Sequence, residues 1–317
     1  MEEIFSQFYS NGVLLVMWGA LLFHLLIPIP RSAHPTTLWH KFAEQLAEKV
    51  NVNNHYSQSL ISGTLAWLLM VIPTILVLWA LKPLVWQPQL FELALLLLAL
   101  DWRSNEVLAN GLTKALAHDD KSTARSLLSP VLNRDTSRLS ALGLGKAGAE
   151  TIIMGYGRNV VCVLFWYAIG GGSGALIYRL SAELARAWSP SRSEFSPFGL
   201  AVTRAVALLD FIPLRLFALF VVCGNKAVYT FKAMLTQSSS WPSPGPAWLL
   251  TAVGNKLELS LGGPAIYENR KSVRAKIGGR IAPSAIHLSQ IQTLVAWRVF
   301  AWTLIQSVIL FLLYQGV

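Results

Sequence analysis

Residues 126–180 read SLLSPVLNRDTSRLSALGLGKAGAETIIMGYGRNVVCVLFWYAIGGGSGALIYRL. A polar, basic segment carrying Asn133-Arg134-Asp135-Thr136 runs through Glu150 straight into a hydrophobic run, which Gly170-Gly171-Gly172 interrupts before it resumes. Charged chemistry is thus delivered to the mouth of an apolar helix, and irregular backbone stands where that helix ought to continue. Unpaired backbone is expensive in hydrocarbon, so a glycine break at that depth has to be buried in protein or line a cavity. This stretch sets the expected fold and the expected site together.

Composition extends the reading to the whole chain. Its 317 residues are 54% hydrophobic and 13% charged, with a mean hydropathy of +0.48. A soluble domain carries roughly 25% charged residues, so the chain reads as an all-α, polytopic integral membrane bundle. The 12 tryptophans suit a bilayer protein, since indoles favour the membrane–water interface. The net charge of +10 lies in segments between apolar runs. That placement assigns it to membrane topology and the lipid surface rather than to nucleic acid. Cys162 and Cys223 both fall inside apolar runs and are expected as reduced, buried thiols.

Spans are predicted at about residues 12–30, 60–81, 160–177, 199–222 and 293–314, with 88–100 a half-span or a buried helix. The first reads as an uncleaved anchor stopped by Pro28 and Pro30. Residues 36–50 place Leu38, Phe42, Leu46 and Val50 at a spacing of four, which predicts an amphipathic helix on the membrane surface or on the protein itself. Segments 101–158 and 224–292 carry eight lysines and arginines each, against three each in 31–59 and 179–197. The positive-inside rule puts both rich loops in the cytoplasm of a cell inner-membrane protein, whether the spans number five or six. Arg204, Asp210 and Arg215, inside an apolar run, should face the bundle interior or a wet cavity. No internal repeat is visible, so the chain reads as one membrane domain and a transporter has little support.

Several groups carry chemistry. Glu150, at a membrane boundary, suits a Mg²⁺ ligand or a carboxylate that orients an amine; its plain reading is a solvated helix-end charge. Arg134-Asp135-Thr136 offers a phosphate-binding guanidinium beside a carboxylate, and equally a helix cap. Gly170 to Gly174, GGGSG, could cradle phosphate but lacks the Lys-Ser/Thr of a P-loop, and close helix packing explains it equally well. Leu261-Gly262-Gly263-Pro264 reads as a turn, and His118-Asp119-Asp120 as a solvated turn rather than a metal cluster. No HExxH, Gly-x-Ser-x-Gly or Cys/His pair supports hydrolysis by a covalent nucleophile.

Taken in order, these residues resemble the CbiB/CobD family of cobalamin biosynthesis. His34-Pro35 follows the first span, and Arg103-Ser104 opens the first long loop. Asp120, Ala124-Arg125, Asn133 to Thr136 and Glu150 come next, then Leu164-Phe165-Trp166, Gly171-Gly172, Gly174-Ala175-Leu176 and Tyr178-Arg179. Phe198-Gly199, Arg204, Ile212-Pro213 and Arg215-Leu216 continue the match, and Ser243-Pro244, Leu261 to Pro264, Tyr267 and Ile277-Gly278 complete it. The resemblance implies an adenosylcobinamide-phosphate synthase: a propionate of adenosylcobyric acid joined by an amide bond to aminopropanol or its O-phosphate. ATP would activate the carboxyl through an acyl phosphate, with Mg²⁺. It implies Glu150 and Asp135 as catalytic groups, Glu150 as the metal ligand, and Arg134, Thr136, Arg103, Arg204, Arg215, Gly171, Gly172 and Tyr267 at the substrate.

The chain also departs from that pattern at acidic and amide positions. It reads Ile29-Pro30 before His34, Met154-Gly155 and Arg158-Asn159 after Glu150, and Ala185 where an aspartate is expected. It reads Ala205-Val206-Ala207 after Arg204, and Pro244-Gly245-Pro246-Ala247 with Leu250 near the end. A Mg-ATP ligase needs several carboxylates. The alternative is therefore a non-catalytic membrane binding or regulatory protein on the same scaffold.

Overall fold

The computed structural model describes residues 12–27, 36–51, 55–267 and 270–314. The Pro28 and Pro30 stop, the Ile29-Pro30 departure and the His34-Pro35 marker lie outside the described residues. Four helical runs are long and apolar enough to cross a membrane: Tyr56–Leu84, Ala141–Ala187, Leu200–Val222 and Ala285–Leu313. A shorter apolar helix, α1, covers Val13–Leu26.

The amphipathic helix forms as α2, Thr36–Val50. Its face toward the protein is made of small residues: Ala43 and Ala47 are fully covered, and Trp188 Nε1–H reaches the Ala43 carbonyl at 3.0 Å. Leu38 and Phe42 point outward at 72% and 59% exposure, as the membrane-surface alternative requires. The helix thus has a tight inner seam and a greasy outer edge, the arrangement of a helix lying in a membrane interface.

Helix α3, Tyr56–Leu81, is apolar nearly throughout and buries only a narrow stripe of Ser59, Gly63, Ala66, Met70 and Leu78. The ambiguous run 88–100 is helix α4, Pro88–Ala99, packed between α1 and the glycine-broken segment. The first long polar segment is not a loop. It forms α5, Arg103–Ala117, then α6, Lys121–Leu128, capped by the Asp120 carboxylate on Thr123 N–H at 3.0 Å. Next is α7, Ala141–Tyr156, capped by Ser140. Small residues along α5 and α7, with a seam of Leu108, Leu112, Leu144 and Ile152, turn this polar stretch into packed structure.

The glycine-broken run is where the structure corrects the sequence reading. After a π-helical turn at Gly157–Cys162, the helical trace α8, Val163–Ala187, contains two non-helical residues: Gly170 at φ −122°, ψ 17° and Gly171 at φ 61°, ψ −160°. The second lies in a region open essentially only to glycine. Arg179 donates to the Asn159 side chain, and Gly174 sits so close to the Trp166 carbonyl that a Cβ there would fall 2.7 Å from it. A straight helix would hold residues 159 and 179 about 30 Å apart. The chain therefore doubles back, and residues 160–177 form a helical hairpin instead of a crossing. Its arms reach about 15 Å, half of a roughly 30 Å hydrocarbon core. The freed Gly172 N–H donates to the Glu92 carboxylate from α4, so the break is satisfied by protein.

Beyond the hairpin come α9, Leu200–Val222, with Pro213 inside it, then α10, Ala227–Ser238, and α11, Pro244–Lys256. The second polar segment then adds four short strands: β1, Ser260–Gly262, pairs antiparallel with β4, Lys276–Gly278, and β2, Ala265–Tyr267, with β3, Arg270–Ser272. The long final helix, α12, covers Ala285–Tyr314. Of the two thiols, Cys162 is buried as expected, whereas Cys223 is exposed at the end of α9. The reversal gathers polar segments 31–59, 101–158, 179–197 and 224–292 on one side. The charge-poor segments join the charge-rich ones there, and described residues of all four line one cavity.

Candidate functional site

Those four segments enclose a cavity of about 770 Å³. Thr36 and His40 come from α2, Asp101 and Ser104 from the start of α5, and Asn133 and Arg134 from the loop before α7. Glu150, Arg158, Asn159, Arg179, Glu183 and Arg186 come from α7 and the hairpin base, Thr203, Val206 and Ala207 from α9, and Ser243, Tyr267 and Arg274 from the last polar segment. Five arginines thus face three carboxylates. Of the described positions where the chain departs from the family pattern, Arg158-Asn159, Ala185 and Val206-Ala207 line this space, whereas Met154-Gly155, Ala205, Pro244 to Ala247 and Leu250 do not.

One wall is built on Glu150. Residues 133–136 lie in the connection between α6 and α7, with a bend at Asn133-Arg134, and dock on the strand ribbon through Asp135 N–H to Ile266 O at 3.1 Å. Arg134 and Thr136 are buried there, whereas Asp135 is only half-buried. Arg134 meets Glu150 at 3.5 Å, Arg274 meets both its oxygens at 3.1 and 3.3 Å, and Gly262 N–H donates to it at 2.8 Å. Gly262 holds φ 71°, and a Cβ there would lie 2.2 Å from the Ala275 carbonyl, so this turn requires glycine. Burial pulls the Arg134 guanidinium below its ordinary pKa, and the Glu150 charge opposes that.

The opposite wall is the hairpin base. Arg179 bridges Glu183 at 2.9 Å and Asp101 at 3.6 Å, and Glu183 also meets His40 at 3.6 Å and Arg186 at 3.9 Å. Burial lowers the His40 pKa despite that carboxylate. Below them Arg158 makes two 2.8 Å contacts to Asp210, which also accepts from Tyr178 OH at 2.7 Å and is fully buried. This pairing locks the hairpin to α9.

The structure brings Glu150, Arg134 and Tyr267 together at the cavity. Asp135 instead accepts from Ser137 N–H and Oγ–H at 2.8 and 2.7 Å, which lowers its pKa and closes a local turn outside the lining. Thr136 is buried beside the cavity without lining it. Arg103 pairs with Glu106 at 3.1 Å, and its neighbour Ser104 does the lining. Two expectations for α9 are corrected: Arg204 is exposed away from the cavity, and Arg215 stacks on Phe211 and Trp248 at 3.9 and 4.7 Å. The cavity falls on the face of Thr203, Val206 and Ala207, one position off Arg204. Gly171 and Gly172 lie outside the lining, their anion site filled by Glu92. Sequence reasoning missed Arg158, Arg179 and Arg274. Only the folding-back of the chain and the return of the ribbon bring Arg179 to Asp101, Arg158 to Asp210 and Arg274 to Glu150.

Magnesium was the implied partner of Glu150. The donor set does not suit it: two guanidiniums and a backbone N–H already address the carboxylate, and Asp101 and Glu183 are likewise paired with protein cations. Among the described residues no group of three or more His, Cys, Asp or Glu is placed to hold a metal ion. The guanidinium-rich walls suit a phosphate or carboxylate.

Residues 17–296 match the family model described as CobD/Cbib protein. "Cobalamin biosynthesis protein CobD" of Stutzerimonas stutzeri is 32% identical over 296 residues, covering 93% of this chain and 97% of that protein. The protein of the same name from Chromobacterium violaceum is 30% identical over 240 residues, 76% of this chain and 77% of its own length. No solved structure matches the chain. The matched region contains every residue from Thr36 to Arg274 that lines the cavity. The chain belongs to the CobD/CbiB family.

Proposed function

We propose that the chain acts in cobalamin biosynthesis, joining aminopropanol or its O-phosphate to a propionate of adenosylcobyric acid through an amide bond. The observation that carries this reading is the arginine-lined cavity, assembled from all four polar segments of the family match. Both reaction partners bring an anionic group, a carboxylate on the corrinoid and a phosphate on the amine. Two arginine centres on opposite walls suit that pair: Arg134 with Arg274, and Arg179 with Arg158. Fixing both groups in one enclosed space lowers the entropic part of the barrier. A cavity of about 770 Å³ suits a drug-sized ligand. The propionate end of the corrinoid therefore enters, and the macrocycle stays at the mouth. ATP, implied by the family, would supply activation of the carboxyl. The protein sits in the inner membrane with the cavity toward the cytoplasm, where the positive-inside rule places its basic face.

The pairing of every lining carboxylate with an arginine favours a second reading: a binding or regulatory protein that holds such ligands without joining them. Complementation separates the two. Expressed in a strain lacking its aminopropanol-attachment enzyme, the chain is expected to restore growth on cobyric acid, and Arg134→Ala to abolish it. Full-length, membrane-inserted protein that gives no growth would leave the binding reading.

A further inference from the structure

The inference rests on the phosphate-binding reading above and concerns what neutralises that phosphate. Glu150 is one negative charge set against two guanidiniums, and its side chain is only 10% exposed. The stronger contacts go to Arg274, 3.1 and 3.3 Å, and to Gly262 N–H, 2.8 Å. Arg134 is left short. Its contact is the long one at 3.5 Å, its Nε–H has no partner among the described residues, and its side chain is 6% exposed. A buried guanidinium in that condition is costly until an anion completes its donors. Across the cavity Arg179 spans Asp101 and Glu183, so the remaining lining carboxylates are engaged as well.

We infer that the space between Arg134 and Arg274 is a metal-independent oxyanion site: it takes the phosphate monoester directly on two guanidinium forks, and Glu150 is the fixed counter-ion that holds Arg274 in place. A phosphate monoester is close to dianionic at neutral pH. Its oxygens match the planar fork of arginine better than a point charge would. The surplus positive charge of the clamp does here what a divalent cation does in a carboxylate-lined site. Glu150 acts through Arg274 and is a positioning residue, not a ligand of the phosphate.

The test is calorimetric titration of the detergent-solubilised full chain with aminopropanol O-phosphate and, separately, with inorganic phosphate, each in EDTA and in excess Mg²⁺. Cobyric acid is titrated in parallel to read the corrinoid. Affinity for the phosphate compound is expected to agree within about twofold with and without Mg²⁺ and to fall about tenfold or more in Arg134→Gln. In Glu150→Gln it should hold or rise, because the amide oxygen can still accept from Arg274 and keep it in place while the competing negative charge is gone. Arg204→Gln, exposed and outside the cavity, should bind as wild type. Thermal melts accompany each variant, and the Mg²⁺ comparison on the wild type stands even where a variant does not fold. Binding that requires Mg²⁺, or that Glu150→Gln abolishes in a folded protein, overturns the metal-independent site while leaving the family reaction standing. Failure to bind either the phosphate compound or cobyric acid in any buffer overturns both.

Discussion

Glu150 and Asp210 are both buried carboxylates facing arginine, yet they are built to opposite ends. Asp210 is closed: Arg158 contacts it twice at 2.8 Å, Tyr178 OH fills a further site, and the charges cancel one for one. Glu150 is shared: one charge serves two guanidiniums, and the weaker partner keeps a donor unused. The difference teaches that burial and an ion pair do not by themselves mark function. The stoichiometry does. A balanced pair fastens the hairpin to α9, whereas an unbalanced clamp stores positive charge beside a cavity.

The largest effect is expected for Glu150→Ala. It strands two guanidiniums with side chains 6% and 16% exposed, and removal of one partner from a buried pair costs about 3–5 kcal/mol. Thermal unfolding in detergent should show that loss, and added phosphate should raise the melting temperature of the variant more than that of the wild type. Asp210→Ala should cost less, about 1–3 kcal/mol, because the Arg158 side chain is 39% exposed and can turn to the cavity water. Equal losses at both positions would erase the distinction. The smallest effect belongs to a solvent-facing carboxylate that calibrates the other two. Asp120 caps α6, and bonds from Thr123 and Ser122 hold its pKa at about 2. Its folded value is depressed, so its contribution is present above the ordinary carboxylate range near pH 4 and is lost as pH falls toward 2. Hydrogen exchange of the first α6 amides should rise over that window in wild type and stay flat in Asp120→Ala.

How much of this could be read in the sequence differs from residue to residue. Glu150 and Arg134 were legible because charge next to an apolar run is costly and needs a partner. Helix α2 was legible from its spacing, although its large apolar residues face outward: two alanines make the closer seam against Trp188. The triple glycine announced a break but not a reversal. The clue lay in arithmetic, since ten residues from Asn159 to the break cover only half of a bilayer. Glu92, the lone acid in the apolar run of α4, was a second clue: a carboxylate there needs a donor, and Gly172 N–H supplies it. Arg274 could not have been paired with Glu150 from spacing, because 124 residues separate them and the ribbon that joins them gives only a weak local signal.

The hairpin also bears on how the protein is made. Arms of about ten residues are too short to be held in a bilayer singly, so they must enter together, with the turn leading. The carboxylate that receives the turn lies 80 residues earlier in the chain. A nascent polypeptide emerges N-terminal end first, so α4 is already synthesised, its Glu92 waiting, when the glycines leave the ribosome. The order of synthesis thus supplies the receptor before the element that needs it.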